Sequence, residues 1–394
     1  MSRQPKIFLT PTVLTALQAR AAVNSPEWVA LKSQCDLWLT GHVEWADGDH
    51  YPGIGNIGEG YQGDDYYHAV VNLGLCYQVA KTIDPTHAPL YAAKGIDVLL
   101  KMSVPQGTLH AVNPLRDSGY GIRFYGVGMA IGYDWFYDAL TPDQRTTIVT
   151  ALNVWVDAFA KSGFGHDHPQ GNYFAGYYAA SGLAALATED DTRWQDWLTR
   201  IHNGFVQPYY EKYLKGGGWP EGWNYGRLAS LNMSWPTLAA KSAKSLDLIG
   251  GSTPFTFPVS QGLHLIHFTW PSRLSLDDRG RLYPGDNPSA LLPLLITPQA
   301  GLMSSLQAQT APQFHRYARE VRELQTGKAD LWQEFLFWDE TAFEQDYRSQ
   351  PLSYLARGMN MVAARSSWAT DAVWSSFTAS PYINYSGSGE EFYD

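Results

Sequence analysis

Three segments of the chain open with a capping hydroxyl directly before a proline at the first helical position: Thr10-Pro11, Ser25-Pro26-Glu27 and Thr141-Pro142-Asp143. The hydroxyl accepts a hydrogen bond from a first-turn N–H that has no partner within the helix, and proline at the first helical position gives up no bond. Behind the second of these starts come Trp28, Leu31, Cys35, Trp38 and Leu39, and behind the third come Ile148, Leu152, Trp155, Val156 and Phe159. Spacing of three and four places each set on one helix face. The same periodicity predicts helices near 64–81, 87–102, 122–138, 172–188, 192–213, 226–248, 259–270, 312–326 and 328–337. With the three capped segments that makes about twelve helices by pattern alone. Short connections favour antiparallel neighbours, and no strand–helix alternation points to a parallel sheet. No fixed-period repeat of the solenoid kind is visible, so the expected architecture is mainly α, an incomplete (α/α) toroid of antiparallel helical hairpins over 1–355.

The pattern changes near residue 355. Met359, Met361 and Ala363 alternate with Asn360 and Val362, AVWSSFTA at 372–379 reads as β, and 381–389 is rich in turn residues. So short a stretch is too little for an independent sheet domain. Residues 356–394 are therefore expected to be the first strands of a truncated C-terminal β-sandwich.

Composition narrows the function classes. A chain of 394 residues with 45% hydrophobic and 17% charged residues has ample material for a core and is not disordered. Its net charge is −10 and it has no Lys/Arg block, which excludes the phosphate-tracking stripe of a nucleic-acid binder. No run of 18 apolar residues marks a membrane span, and the amino terminus lacks the charged start and apolar stretch of a secretion signal. The two cysteines, Cys35 and Cys76, sit in helix-like apolar patterns and read as small core residues, neither a disulfide scaffold nor a thiolate metal site. Aromatic residues make up 14% of the chain and crowd around Gly, Asn, His and Asp rather than within apolar runs, a mixture suited to carbohydrate.

Three segments between helices concentrate that mixture. In SGYGIRFY at 118–125, Arg123 lies among Tyr120, Phe124 and Tyr125, placed to pair with a carboxylate beside ring faces or to make an interhelical salt bridge. In GFGHDHPQGNYFAGYY at 163–178, His166, Asp167, His168 and Asn172 precede or open a helix, where N–H groups and the dipole favour an anion. Two histidines two apart with no third ligand make a poor metal site, and Asn172 also suits a plain helix cap. In GGGWPEGWNYGR at 216–227, Trp219, Trp223 and Tyr225 surround Glu221 and Asn224. This loop either binds a ligand or plugs the toroid with rings. Glu221 is either an acid catalyst or a residue that orients a neighbour by hydrogen bonding.

PKIFLTPTVLTALQARA at the start, YDWFYDALTPDQR at 133–145, the GNYFAGYYAASGLAAL helix, the GGWPEGWNY loop and RLYPGDN at 281–287 together resemble the heparinase II/III-like polysaccharide lyases. The likeness runs over nearly the whole chain, through motifs that are individually loose. It implies an incomplete (α/α) toroid joined to a β-sandwich, with MNMVAARSSW at 359–368 as the first sandwich strand. It also implies β-elimination at a uronic acid, an anionic polysaccharide or oligosaccharide as partner, no metal or organic cofactor, and a secreted or periplasmic setting. Asn172 matches the asparagine that neutralises the uronate carboxylate. Tyr173 stands where many members have His, leaving His166 or His168 as substitutes, with Arg123 as a further cation. Tyr225 matches the catalytic tyrosine, serving as base, acid or both. Its ordinary pKa of about 10 requires a nearby cation such as Arg123 or Arg227 for the base role. Trp219, Trp223, Tyr120 and Tyr125 would stack on sugar rings, with Glu221 and Asn224 beside them.

Two other readings stay open. Toroids also serve glycoside hydrolases with paired carboxylates, for which Asp64-Asp65 and Glu221 are the candidates, although two Asp at a helix start are ordinary dipole chemistry. The third reading is a non-catalytic carbohydrate-binding protein. The net charge disfavours a heavily sulfated ligand, and the sequence carries no signature of oligomeric state.

Overall fold

A computed structural model describes residues 3–104, 113–250, 254–271, 293–323 and 330–379, with the side chains at 223–224 and 293–295 outside that description. The RLYPGDN motif, the turn-rich 381–389 run and the side chains of Trp223 and Asn224 therefore lie outside the described residues. The protein is mainly helical, with a small antiparallel sheet near the carboxyl end. It divides into two compact units. The first comprises Met1–His168, Tyr173–His202 and Trp235–Asp247, and the second comprises Pro169–Asn172, Asn203–Ser234 and Leu248–Asp394.

The first unit begins with α1 (Pro11–Ala22), α2 (Pro26–Leu39), α3 (Asp64–Ile83), α4 (Ala88–Ser103), α5 (Ile122–Trp135) and α6 (Pro142–Ser162). The capping devices form as the sequence predicts. Thr10, Ser25 and Thr141 each accept from a first-turn N–H, and Thr141 and Gln144 close a reciprocal capping box. α3 is buried along most of its length and packs against α1, α2, α4 and α5. Every residue of α5 is buried. Gly126 on α5 permits close approach of α7 (Asn172–Thr188), since a Cβ there would stand 2.6 Å from Ala180 Cβ. Asp134, 1% exposed near the end of α5, accepts from the backbone N–H groups of Lys6 and Ile7, both at 2.8 Å, and from Arg3 at 3.1 Å. Hydrogen bonds to a charged acceptor are each worth about 1.5–3 kcal/mol, so this one carboxylate pins the amino-terminal strap.

The expected single helix over 192–213 is instead α8 (Asp191–Asp196), a π-helical stretch Trp197–Val206, α9 (Gln207–Tyr209) and a second π-helical stretch Tyr210–Leu214. The reason is visible in the burial. Trp197, Ile201, Val206, Tyr210 and Leu214 are each 1–2% exposed and recur at four and five rather than three and four, which the wider i→i+5 turn accommodates. α10 (Gly222–Lys244) starts one turn earlier than its periodicity predicts and carries Pro236 in its interior. It belongs to the second unit through Ser234 and to the first from Trp235.

The second unit holds α11 (Phe257–Phe268), α12 (Pro293–Ser305), α13 (Ala311–Glu323) and α14 (Leu331–Phe337) with β1 (Ser353–Ala356), β2 (Met361–Arg365) and β3 (Trp374–Thr378). The strands are antiparallel in the order β1-β2-β3, with Ala356 opposite Met361 and Arg365 opposite Trp374. Met359, Met361 and Ala363 are buried, as their alternation predicts. The 359–368 segment supplies the second, central strand and not the first, because Ser353–Ala356 pairs ahead of it across a turn at Asn360, whose φ is 48°. The carbonyls that end α11 are taken up by side chains from this sheet. Arg365 Nη2 donates to His267 O at 2.8 Å and Thr269 O at 3.1 Å, and Trp374 Nε1 donates to His267 O at 3.1 Å.

Candidate functional site

In the second unit, the loop before α10 is built on left-handed backbone. Gly216, Gly217 and Gly218 have φ of 93°, 82° and 98°, values that a side chain would make costly. Gln261, fully buried on α11, holds this loop: its Oε1 accepts from Gly218 N at 2.7 Å, and its Nε2 donates to Ser230 Oγ at 2.6 Å. Gly222, at φ 74°, then closes a tight turn through its N–H to Trp219 O at 3.0 Å and opens α10. Sequence reasoning did not find Gln261; its only signal was an uncharged polar residue inside an apolar helix.

The turn sends Glu221 inward, where it is 7% exposed. Its Oε2 accepts from Asn172 N at 2.7 Å and Trp219 Nε1 at 2.9 Å, and its Oε1 accepts from Asn172 Nδ2 at 2.7 Å. Asn172, the first residue of α7, is 3% exposed. A carboxylate only accepts, so Nδ2 rather than Oδ1 must face it, and the orientation of the Asn172 amide is fixed by its neighbour. Glu221 thus orients Asn172 and satisfies a helix-start N–H, which is the second of its two expected roles. Tyr225 lies in the first turn of α10, half-buried. Burial pulls the Arg227 guanidinium below its usual pKa. Trp219 was expected to stack on sugar. At 3% exposure its ring is inside the unit, edge-on to Phe257, and its indole supports Glu221.

The first unit gathers a second group. Arg123 is 3% exposed, its guanidinium carbon 3.9 Å from the centre of the Tyr120 ring and 5.0 Å from that of Tyr173, with Nε donating to Tyr120 O at 3.2 Å. Tyr61 and Phe164 extend the rings by edge contacts to Tyr120 and Tyr173 respectively. Burial, with Asp117 second, pushes the Tyr173 phenol up to about 12, so it keeps its proton at neutral pH. His166 and His168 are exposed; His168 Nδ1 lies 2.6 Å from Asp167 Oδ1, and His166 Nδ1 lies 3.2 Å from Gly163 O.

Tyr125 is not available to stack on a sugar, because it is fully buried between Trp155, its ring 4.5 Å away, and Glu59, to which its hydroxyl donates at 2.8 Å. Glu59, itself 1% exposed, also takes Arg116 and the N–H of Gly48. The Asp64-Asp65 pair is engaged by the preceding loop. Asp64 accepts from the Tyr51 hydroxyl at 2.8 Å and Asp65 from Gly58 N at 3.0 Å, and burial raises both pKa values.

Among the described residues no group of three or more His, Cys, Asp or Glu is placed to hold a metal ion, and no helix is long and apolar enough to cross a membrane. No protein-family model matches the chain, and no curated protein matches it.

Proposed function

We propose that the protein is a polysaccharide lyase that cleaves a uronic-acid-containing polymer by β-elimination, within the incomplete (α/α) toroid and sandwich architecture that the sequence resemblance implies. The observation that carries this reading is the Asn172 amide, oriented by a buried carboxylate in the same compact unit that holds the half-buried Tyr225. The packing of α3 against α4 across a connection of residues 84–87 alone supports the toroid part of this reading.

Removing the C5 proton of a uronate places charge next to a carboxylate that is already negative. Asn172 donates to that carboxylate, so the developing enolate is met by a donor already in position, which is worth on the order of 100- to 1000-fold in rate. The C5–H electron pair becomes the C4–C5 double bond, the C4–O4 bond breaks, and O4 leaves with a proton. Tyr225 takes the C5 proton as phenolate and returns one to O4 as phenol. Glu221 positions Asn172 and does not touch substrate. Arg123 and His168, the guanidinium and the histidine that the sequence offers for the same carboxylate, belong to the first unit, and the reading does not depend on them.

The test is a panel of uronate polymers followed in the ultraviolet for the conjugated product, with Tyr225→Phe alongside. Loss of a general acid or base costs about 10²–10⁴-fold, so the variant should fall by at least that lower factor with its melting midpoint unchanged. Wild-type turnover by Tyr225→Phe removes the acid/base assignment. New reducing ends without ultraviolet absorbance would assign a hydrolase, and binding without turnover would assign a carbohydrate-binding protein.

A further inference from the structure

Cys35 on α2 and Cys76 on α3 are both fully buried, and the structure holds them as thiols. Their sulfur atoms stand 2.8 Å apart, inside van der Waals contact though beyond the roughly 2.05 Å of a covalent bond. The two helices pack against each other within the first unit. Two cysteines make no scaffold, yet these two sulfurs have been brought together by helices that pack for other reasons. We propose that Cys35 and Cys76 form an intramolecular disulfide that joins α2 to α3, independently of the catalytic reading above.

The bond forms by exchange with an oxidised disulfide such as oxidised glutathione or an oxidoreductase dithiol. One cysteine thiolate attacks a sulfur of the oxidant and expels the first thiolate. The second cysteine thiolate attacks the resulting mixed disulfide and expels the other. The protein loses two electrons and two thiol protons, and the oxidant gains both electrons and is released as two thiols. Burial pushes the Cys35 thiol well above its ordinary pKa, and both sulfurs are closed to an incoming oxidant in the folded protein. The exchange therefore belongs to the folding chain, and burial then shields the finished bond from reductant.

The crosslink would close the segment between α2 and α3. In that segment Glu59 takes the Tyr125 hydroxyl, Asp49 accepts from Gln62 N at 2.9 Å, and Tyr51 reaches Asp64. Constraining both ends of such a segment restricts the unfolded chain far more than the folded one. A disulfide of this kind persists only where the surroundings are oxidising.

The full chain is refolded in equimolar reduced and oxidised glutathione, denatured in guanidinium with excess N-ethylmaleimide, and weighed intact. The expected result is a monomer with no adduct, two hydrogen atoms lighter than the reduced chain, whereas prior treatment with reductant yields an adduct on each sulfur. Adducts on both sulfurs without reductant, a glutathione adduct, or a covalent dimer on a non-reducing gel would each overturn the proposal. Because Cys76→Ser need not fold well, the second readout uses the wild-type chain. Its oxidised form should melt several degrees above its reduced form, and equal midpoints would count against a bond that fits the native helices.

Discussion

Glu221→Gln separates orientation from mere packing, because it preserves shape and removes one acceptor. Among the described residues the carboxylate receives three N–H groups: two at Oε2, from Asn172 N and Trp219 Nε1, and one at Oε1, from Asn172 Nδ2. A glutamine best keeps its carbonyl where two donors converge, which turns its own NH2 toward Asn172 Nδ2. Two donors then face each other unless the Asn172 amide flips to present Oδ1. The two retained bonds weaken from charge-assisted to neutral, at about 1 kcal/mol each, for a loss of about 2 kcal/mol. For a unit of roughly 150–250 residues that lowers the melting midpoint by about 4–8 °C. The flip also reverses the donor that Asn172 offers to substrate, so turnover on a uronate polymer should fall by about 100-fold or more. Melting is followed by calorimetry and turnover by ultraviolet absorbance of the unsaturated product. Adding Asn172→Asp to the Gln variant supplies an acceptor for the new NH2, so stability should recover while activity does not. If Glu221→Gln loses that stability but keeps wild-type turnover, Glu221 only caps α7, and the orientation argument is wrong.

Three further outcomes rest on burial and local geometry, without the catalytic reading. Burial pulls His202 down to about 4, so between that value and the unfolded pKa of about 6.5 the unfolded chain binds more protons; stability is full above pH 6.5 and is lost as pH falls toward 4, by about 3 kcal/mol for this residue. His267 and His264, pulled down to about 4 and about 3 mainly by burial, add to the same trend, so a guanidinium midpoint that does not change between pH 7 and pH 4.5 would contradict it. Gly217→Ala puts a Cβ on a φ of 82°, 2.7 Å from Ser260 O and 2.8 Å from His264 Cβ, and should cost about 2–3 kcal/mol in chemical denaturation; an unshifted midpoint would mean that the loop backbone relaxes freely. Thr141→Ala removes the Oγ1 acceptor for Gln144 N at 3.2 Å and should cost about 1 kcal/mol, read as a drop in the same midpoint.

Helix starts were the most legible part of the sequence, because capping is a local bargain among four residues and needs no knowledge of the rest of the chain. α12 could not be read this way. Ile296, Thr297, Gln299, Ala300, Leu302 and Met303 are all buried, so no polar face marks its period, and Pro298 in its interior reads as a breaker. β1 escaped notice because it has four residues, of which only Ala356 is buried. At the site, the Gly-rich loop and the Asn-led helix were visible as compositions. The bond between Glu221 and Asn172 was not, since it spans two distant segments and depends on where Gln261 anchors the glycines. Tyr125 and Trp219 show the limit from the other side. A ring next to polar residues reads the same whether it faces a sugar or donates its O–H or N–H to a buried carboxylate.

The polypeptide passes repeatedly from one compact unit to the other, changing over after His168, Asn172, His202, Ser234 and Asp247, and three times it does so within a helical stretch. No single cleavage point therefore releases either half intact. A gene shortened at the onset of the strands would delete part of the second unit rather than an appendage. Dissection would break both halves at once, and evolution would have had to acquire or lose them together.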